Sequence, residues 1–252
     1  VLKLVDKDTC CLSVMAASNI SGAVLDVETM VKRAREIKPD LYCITDAVQH
    51  VPHAAVDVEK LGVDALVFAP YKFFGTRGSG FAYLSDRLSV LRHRKLKAKP
   101  QNVWQLGSPT PSNFASLSAI VDYVCWIGYC YTQQRLSRRE LFVAGMDRIR
   151  SHEMALFERL LDGTPEVPGL HQIPGVTVFF DDGDLSKKDL ILAIAIDGID
   201  YKECVAEYSR RGVTVYERVI DSLYSKRMLE AFNMKGAIRV SPIHCHDFND
   251  VD

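Results

Sequence analysis

Apolar residues in this chain fall into short runs divided by polar, cap-bearing segments. Cys11-Leu12-Ser13-Val14-Met15-Ala16 predicts a strand, and Ser18-Asn19-Ile20-Ser21-Gly22 after it is loop chemistry. From Asp26 onward the spacing changes. Val27, Met30, Val31, Ala34 and Ile37 recur at helical intervals, with Asp26 as the N-cap and Pro39 as the stop. Residues 41–45 predict a second strand, 57–61 a short helix, 65–69 a third strand and 81–84 a fourth. Strands alternating with helices predict a layered α/β sheet.

The second half has a different rhythm. Residues 101–113 form a polar, proline-containing segment centred on Gly107-Ser108-Pro109-Thr110-Pro111-Ser112, too long for a simple turn and expected to be a functional loop. Residues 114–127 predict an apolar helix. Residues 135–161 predict a long amphipathic helix, with Leu141, Met146, Ile149 and Leu156 among its apolar positions. A Gly/Pro-rich break follows at 163–169. Strands are expected at 176–180, 191–196, 213–216 and 237–241. Helices are expected at 201–211, with Gly212 at C′, and near 226–232. Two domains are expected: residues 1–134 as part of a large α/β domain, and 135–252 as the long helix with a small α+β domain.

Composition narrows the class. Of 252 residues, 48% are hydrophobic and 25% charged, which is ordinary for a globular chain. A net charge of -1 argues against a nucleic-acid partner, and the basic stretch at 92–99 reads as a solvated face. No uninterrupted run of about eighteen apolar residues occurs, so no membrane span is expected. The seven cysteines are odd in number and include no C-x-x-C pair, which points to reduced thiols and a cytoplasmic location. His244-Cys245-His246 has no second ligand cluster nearby in sequence, and no metal is expected there. Val1-Leu2-Lys3-Leu4-Val5-Asp6 has neither an initiator Met nor a signal pattern, and the chain reads as a fragment of a longer protein.

The chemistry concentrates at two strand ends. The run at 65–69 leads to Lys72, and Gly75, Gly78 and Gly80 follow. The preceding strand leads to Asp46. Open α/β sheets bind ligands at the carboxyl ends of their strands. A lysine there can form a Schiff base with an aldehyde cofactor, and an acid can hold a pyridinium nitrogen. No G-x-G-x-x-G opens a helix after the first strand, and no Walker-type loop occurs, which disfavours a nucleotide-binding fold.

Asp46-Ala47-Val48-Gln49, then Tyr71-Lys72 at the next strand end, resembles the class V aminotransferase and cysteine desulfurase family of fold-type I pyridoxal 5'-phosphate (PLP) enzymes. Ser18-Asn19-Ile20-Ser21-Gly22 is similar to that family's Ser-Asn-x-x-Gly loop. Gly236-Ala237-Ile238-Arg239-Val240-Ser241-Pro242 is similar to its arginine-bearing C-terminal strand. The resemblance implies the aspartate aminotransferase-type fold: the C-terminal part of the large domain plus the small α+β domain. It implies Lys72 as the Schiff-base lysine and Asp46 as partner of the pyridine nitrogen. Gln49 is implied at the ring oxygen, Val48 on the ring face, and Tyr71 and Ser108 at the phosphate. Asn19 and Arg239 are implied at the carboxylate of a small amino-acid substrate. It further implies a homodimer in which a loop of one copy reaches the other copy's cofactor.

Some positions depart from the family pattern. Ala69-Pro70-Tyr71-Lys72 stands where Ser-Gly-His-Lys is usual, so Ala69 lacks a hydroxyl for the phosphate. Residues 217–226 contain no cysteine, although desulfurases carry their nucleophile in that loop. Cys204 and Cys245 read as structural thiols. The family's phosphate-binding loop and ring-stacking residue have no counterpart in these residues. The expected function is that of a PLP-dependent enzyme acting on an amino acid, cysteine desulfurase-like but without the usual nucleophile. Lyase, epimerase and transaminase chemistry remain open. The alternative is an inactive fragment or pseudoenzyme serving as a dimerisation or interaction module.

Overall fold

The structure, a computed structural model, describes residues 1–252 and divides into two compact units. One comprises Val1–Ala16 and Leu25–Arg148, and the other Ala17–Val24 and Ile149–Asp252.

In the first unit, the predicted strands form a four-stranded sheet in the order β1-β2-β3-β4. Its strands are β1 (Cys11–Met15), β2 (Tyr42–Asp46), β3 (Ala65–Phe68) and β4 (Phe81–Leu84). β1, β2 and β3 are parallel, and β4 closes the edge antiparallel to β3. Parallel neighbours need a crossover. α1 (Val27–Ile37) supplies the first and α2 (Val58–Leu61) lies on the second. Asp26 caps α1 as predicted, its Oδ1 accepting from the Thr29 N–H at 3.0 Å. Val27, Val31 and Ala34 of α1 bury against Leu12, Leu41, Cys43 and Leu66 of the sheet region. Each fully buried aliphatic side chain contributes roughly 1.5–3 kcal/mol.

A buried acid fastens this layer. Asp64 is 2% exposed. Its carboxylate accepts from Arg87 Nε (2.5 Å), Arg35 Nη2 (2.8 Å), the Cys43 N–H (2.8 Å) and Ser85 Oγ (3.1 Å). Arg35 lies in α1, Cys43 in β2, and Ser85 caps α3 (Asp86–Ser89), so one carboxylate ties three elements to the start of β3. Burial by itself pushes this carboxyl upward. The hydrogen bonds from Arg87, Cys43 and Ser85 outweigh it and lower the pKa to about 2.

The predicted apolar helix is longer than expected, running as α4 (Pro111–Thr132), and the long helix is α5 (Arg138–Asp162). By length and composition α4 passes the test for a membrane-crossing helix, a test that the core helices of soluble proteins also pass. It packs on α5, where Gly128 and Gly145 let the backbones approach. A Cβ at Gly128 would lie 2.0 Å from the Leu141 carbonyl oxygen.

The second unit holds an antiparallel sheet in the order β5-β6-β8-β7. Its strands are β5 (Val176–Phe179), β6 (Leu192–Ile196), β7 (Tyr216–Val219) and β8 (Gly236–Val240). α6 (Tyr201–Arg210), α7 (Lys226–Ala231) and α8 (Phe248–Val251) complete it. Leu156, Phe157 and Leu161 of α5 bury with Leu192, Ile194, Cys204 and Ile238. β7 corrects the sequence reading. The strand is expected at 213–216, yet pairing with β8 selects Tyr216–Val219, so the two share only Tyr216.

Candidate active site

In the first unit, Asp46 is the last residue of β2, where a loop position was expected, and its Cα pairs with Met15 and Val67. Its Oδ1 accepts the Val48 N–H at 2.9 Å, so the side chain caps the turn that follows and remains exposed. His50 and Val51 N–H donate to the Ala47 carbonyl, which winds the chain into one helical turn bearing Val48 and Gln49.

Lys72 closes a 3-10 turn, Pro70–Lys72, just after β3. Phe73 and Gly75 N–H both donate to the Pro70 carbonyl at 2.8 Å. This tight turn brings the half-buried Lys72 back toward β2, and its Nζ donates to Gln49 Oε1 at 3.0 Å. Because β2 and β3 are parallel neighbours, the loops carrying Gln49 and Lys72 leave the sheet at the same end.

Tyr71 is 41% exposed, with the Arg77 guanidinium 5.1 Å from its ring centroid. The sequence reading did not single out Arg77, since nothing in a glycine-rich turn marks one arginine as facing a tyrosine. Ser108 lies exposed in the segment before α4 and makes no hydrogen bond. Ala69 has no side-chain cap to offer the turn at Pro70.

In the second unit, Asn19 and Arg239 come together. Arg239 Nη1 donates to the Asn19 carbonyl at 3.4 Å, a long contact between residues 220 apart in sequence. Ser18 Oγ accepts from the Ile20 and Ser21 N–H groups, holding the Asn19 loop. Gly22, at φ +72°, lies so close to the Asp189–Ile191 backbone that a Cβ would be 2.6 Å from the Asp189 oxygen. Tyr216, cross-strand partner of Arg239, has its ring centroid 5.9 Å from the guanidinium carbon. Tyr216 lay within the expected strand, but nothing local marks it as the partner of Arg239, which only the β7–β8 register decides.

Cys204 is buried in α6, and burial pushes its thiol upward. Cys245 is exposed rather than packed, with Sγ 3.7 Å from His244 Nε2.

The aminotransferase class-V family profile matches residues 1–130. The chain belongs to this family. A probable cysteine desulfurase of Ureaplasma parvum is 24% identical over 267 residues, an alignment covering 100% of this chain and 59% of that protein. Cysteine desulfurase IscS of Dictyoglomus turgidum is 42% identical over 82 residues, covering 32% of this chain and 20% of that one. The apo cysteine desulfurase of Thermococcus onnurineus NA1 superposes with a TM-score of 0.76 at 19% identity, covering 99% of this chain and 59% of that chain. Escherichia coli CsdA superposes at 0.73 and 17% identity. The chain thus has the PLP fold-type I architecture and spans about 59% of the length of these full-length matches.

The class V family is PLP-dependent. The donor set in the first unit fits an aldehyde-bearing pyridine. It offers a primary amine beside an amide oxygen, and a carboxylate whose Oδ2 is left uncommitted by the turn.

Proposed function

We propose that this chain carries the lysine-bearing part of a PLP-dependent enzyme acting on an amino acid, cysteine desulfurase-like in kind. The observation that supports it most directly is the 3.0 Å contact between Lys72 Nζ and Gln49 Oε1 at the strand end that also bears Asp46. Lys72 would hold the cofactor through its Nζ and would carry the proton at the substrate Cα. Asp46 would keep the pyridine nitrogen protonated, Gln49 would bond the ring oxygen, and Val48 would cover the ring. Tyr71 and Ser108 are assigned to the phosphate, Ser108 across a homodimer. PLP, when bound, supplies a sink for the negative charge that develops at Cα. Asn19 and Arg239 hold the substrate carboxylate, for which an arginine fork is suited.

The second reading, a catalytically inactive interaction module, is favoured by one observation. Residues 217–226 carry no thiol, so sulfur abstraction has no nucleophile in that stretch. Titration of the protein with PLP separates the two. The enzymatic reading expects the visible absorption band of lysine-bound cofactor in wild type and its loss in Lys72→Ala. Absence of that band in wild type favours the module. No sulfide release from cysteine above a free-PLP control is expected, and clear turnover would assign the nucleophile to another thiol.

A further inference from the structure

The second unit contains a hollow of about 580 Å³ whose lining includes none of the residues assigned to cofactor or substrate. Leu160 of α5, Leu170, Ile194 of β6, Val215 and Val240 of β8 form apolar walls. Its volume falls within the roughly 300–1,000 Å³ of small-molecule sites, which are apolar with a few converging polar groups.

Arg159 and Asp252 also line this hollow. Arg159 Nε and Nη2 donate to Asp252 Oδ1 and Oδ2, both at 2.6 Å, the two-pronged geometry of a guanidinium on a carboxylate. Asp252 follows α8, a single turn that buries none of its own residues. Besides this fork, the Phe248 ring lies 5.7 Å from the Arg159 guanidinium, and His152 Nε2 contacts the His246 carbonyl at 2.8 Å. Val251 of α8 packs against the core of this unit, so a carboxylate already sits on Arg159, delivered by a single-turn helix at a hollow of mixed polar and apolar lining. Asp250 also lines the hollow, and its negative charge opposes a second anionic group on any occupant.

We propose that this hollow binds an amphipathic monocarboxylate, whose carboxylate replaces Asp252 on Arg159 while its apolar tail lies against Leu170, Ile194 and Val240. The Asp252 side chain is then a built-in competitor that swings off Arg159 on binding. The site is independent of Lys72 and of PLP.

Calorimetric titration of the full 252-residue chain with octanoate tests this, with octanol as the uncharged control. Saturable octanoate binding is expected, with octanol much weaker. Arg159→Gln should weaken octanoate about tenfold or more, the loss of a charge-assisted pair. Asp252→Asn should tighten it, an effect that partial unfolding cannot imitate. The proposal is overturned by a lack of saturable binding, by octanol binding as well as octanoate, or by Asp252→Asn leaving the affinity unchanged or weaker.

Discussion

Lys72 Nζ donates to Gln49 Oε1 at 3.0 Å, joining the two loops that leave parallel neighbours β2 and β3 at the same sheet end. A lysine held in this way is aimed across the strand ends instead of trailing into solvent. Under the proposed function, the role of Gln49 is separable from that of Lys72. Gln49→Leu should keep the lysine-bound cofactor band yet raise the apparent Kd for PLP about tenfold, the worth of one hydrogen bond. Absorbance titration of both proteins measures it. An unchanged Kd would remove Gln49 from the cofactor site.

Asp64 predicts acid sensitivity. Its folded pKa of about 2 lies below the unfolded value of 3.8. The ionised, bonded carboxylate therefore stabilises the fold above about pH 4, and that contribution disappears as pH falls through the folded value. The difference corresponds to about 2 kcal/mol. Urea unfolding at pH 5 and at pH 3 should show a steeper loss for wild type than for Asp64→Asn. Asp64→Ala, which strands Arg35 and Arg87, should cost about 3–5 kcal/mol at neutral pH.

His171 predicts the opposite sign. Its Nδ1 meets Asp162 Oδ1 at 3.0 Å and its Nε2 meets Asp181 Oδ2 at 2.6 Å. The Asp162 contact chiefly raises its pKa, Asp181 adds to this, and burial opposes both. A raised folded pKa stabilises below the ordinary histidine value of 6.5, and the benefit is lost as pH rises through the folded value. Melting temperature should thus fall between pH 6 and 8 in wild type and fall less in His171→Gln. Parallel slopes would show that the pair contributes nothing measurable.

Gly22→Ala should disorder the Asn19 loop. The residue sits at φ +72°, and the added carbon would lie 2.6 Å from the Asp189 oxygen and 2.7 Å from the Ile191 oxygen. A loss of roughly 2 kcal/mol or more is expected from strain and backbone clash together. Chemical denaturation reads the stability. Wild-type stability in this variant would mean that the loop can move without cost.

Much of the candidate site can be read from local sequence. Asp46, Gln49 and Lys72 each follow an apolar run that needs a sheet to bury it, and punctuation by Pro70 and Gly75 places the turn. The Asp26 cap and the β1-α1-β2 alternation are local too, because caps and helical spacing depend on residues within a turn or two. Val213-Thr214-Val215 shows where such reading stops. Its β-branched residues carry the propensity, but hydrogen bonds from β8 shift the strand three residues on, to Tyr216–Val219.

Sequence alone determined the class V resemblance, the lysine, the aspartate and the elements that carry them, since these rest on short-range pattern and spacing. Tertiary structure decided what distance along the chain conceals. Residues 17–24 join the second unit because Val24 N–H donates to the Lys187 carbonyl and Asp189 N–H to that of Gly22. The Asn19–Arg239 contact and the Arg159–Asp252 fork span 220 and 93 residues. Such contacts form only after the loop-closure entropy between them has been overcome by a packed core, and no local pattern encodes that balance.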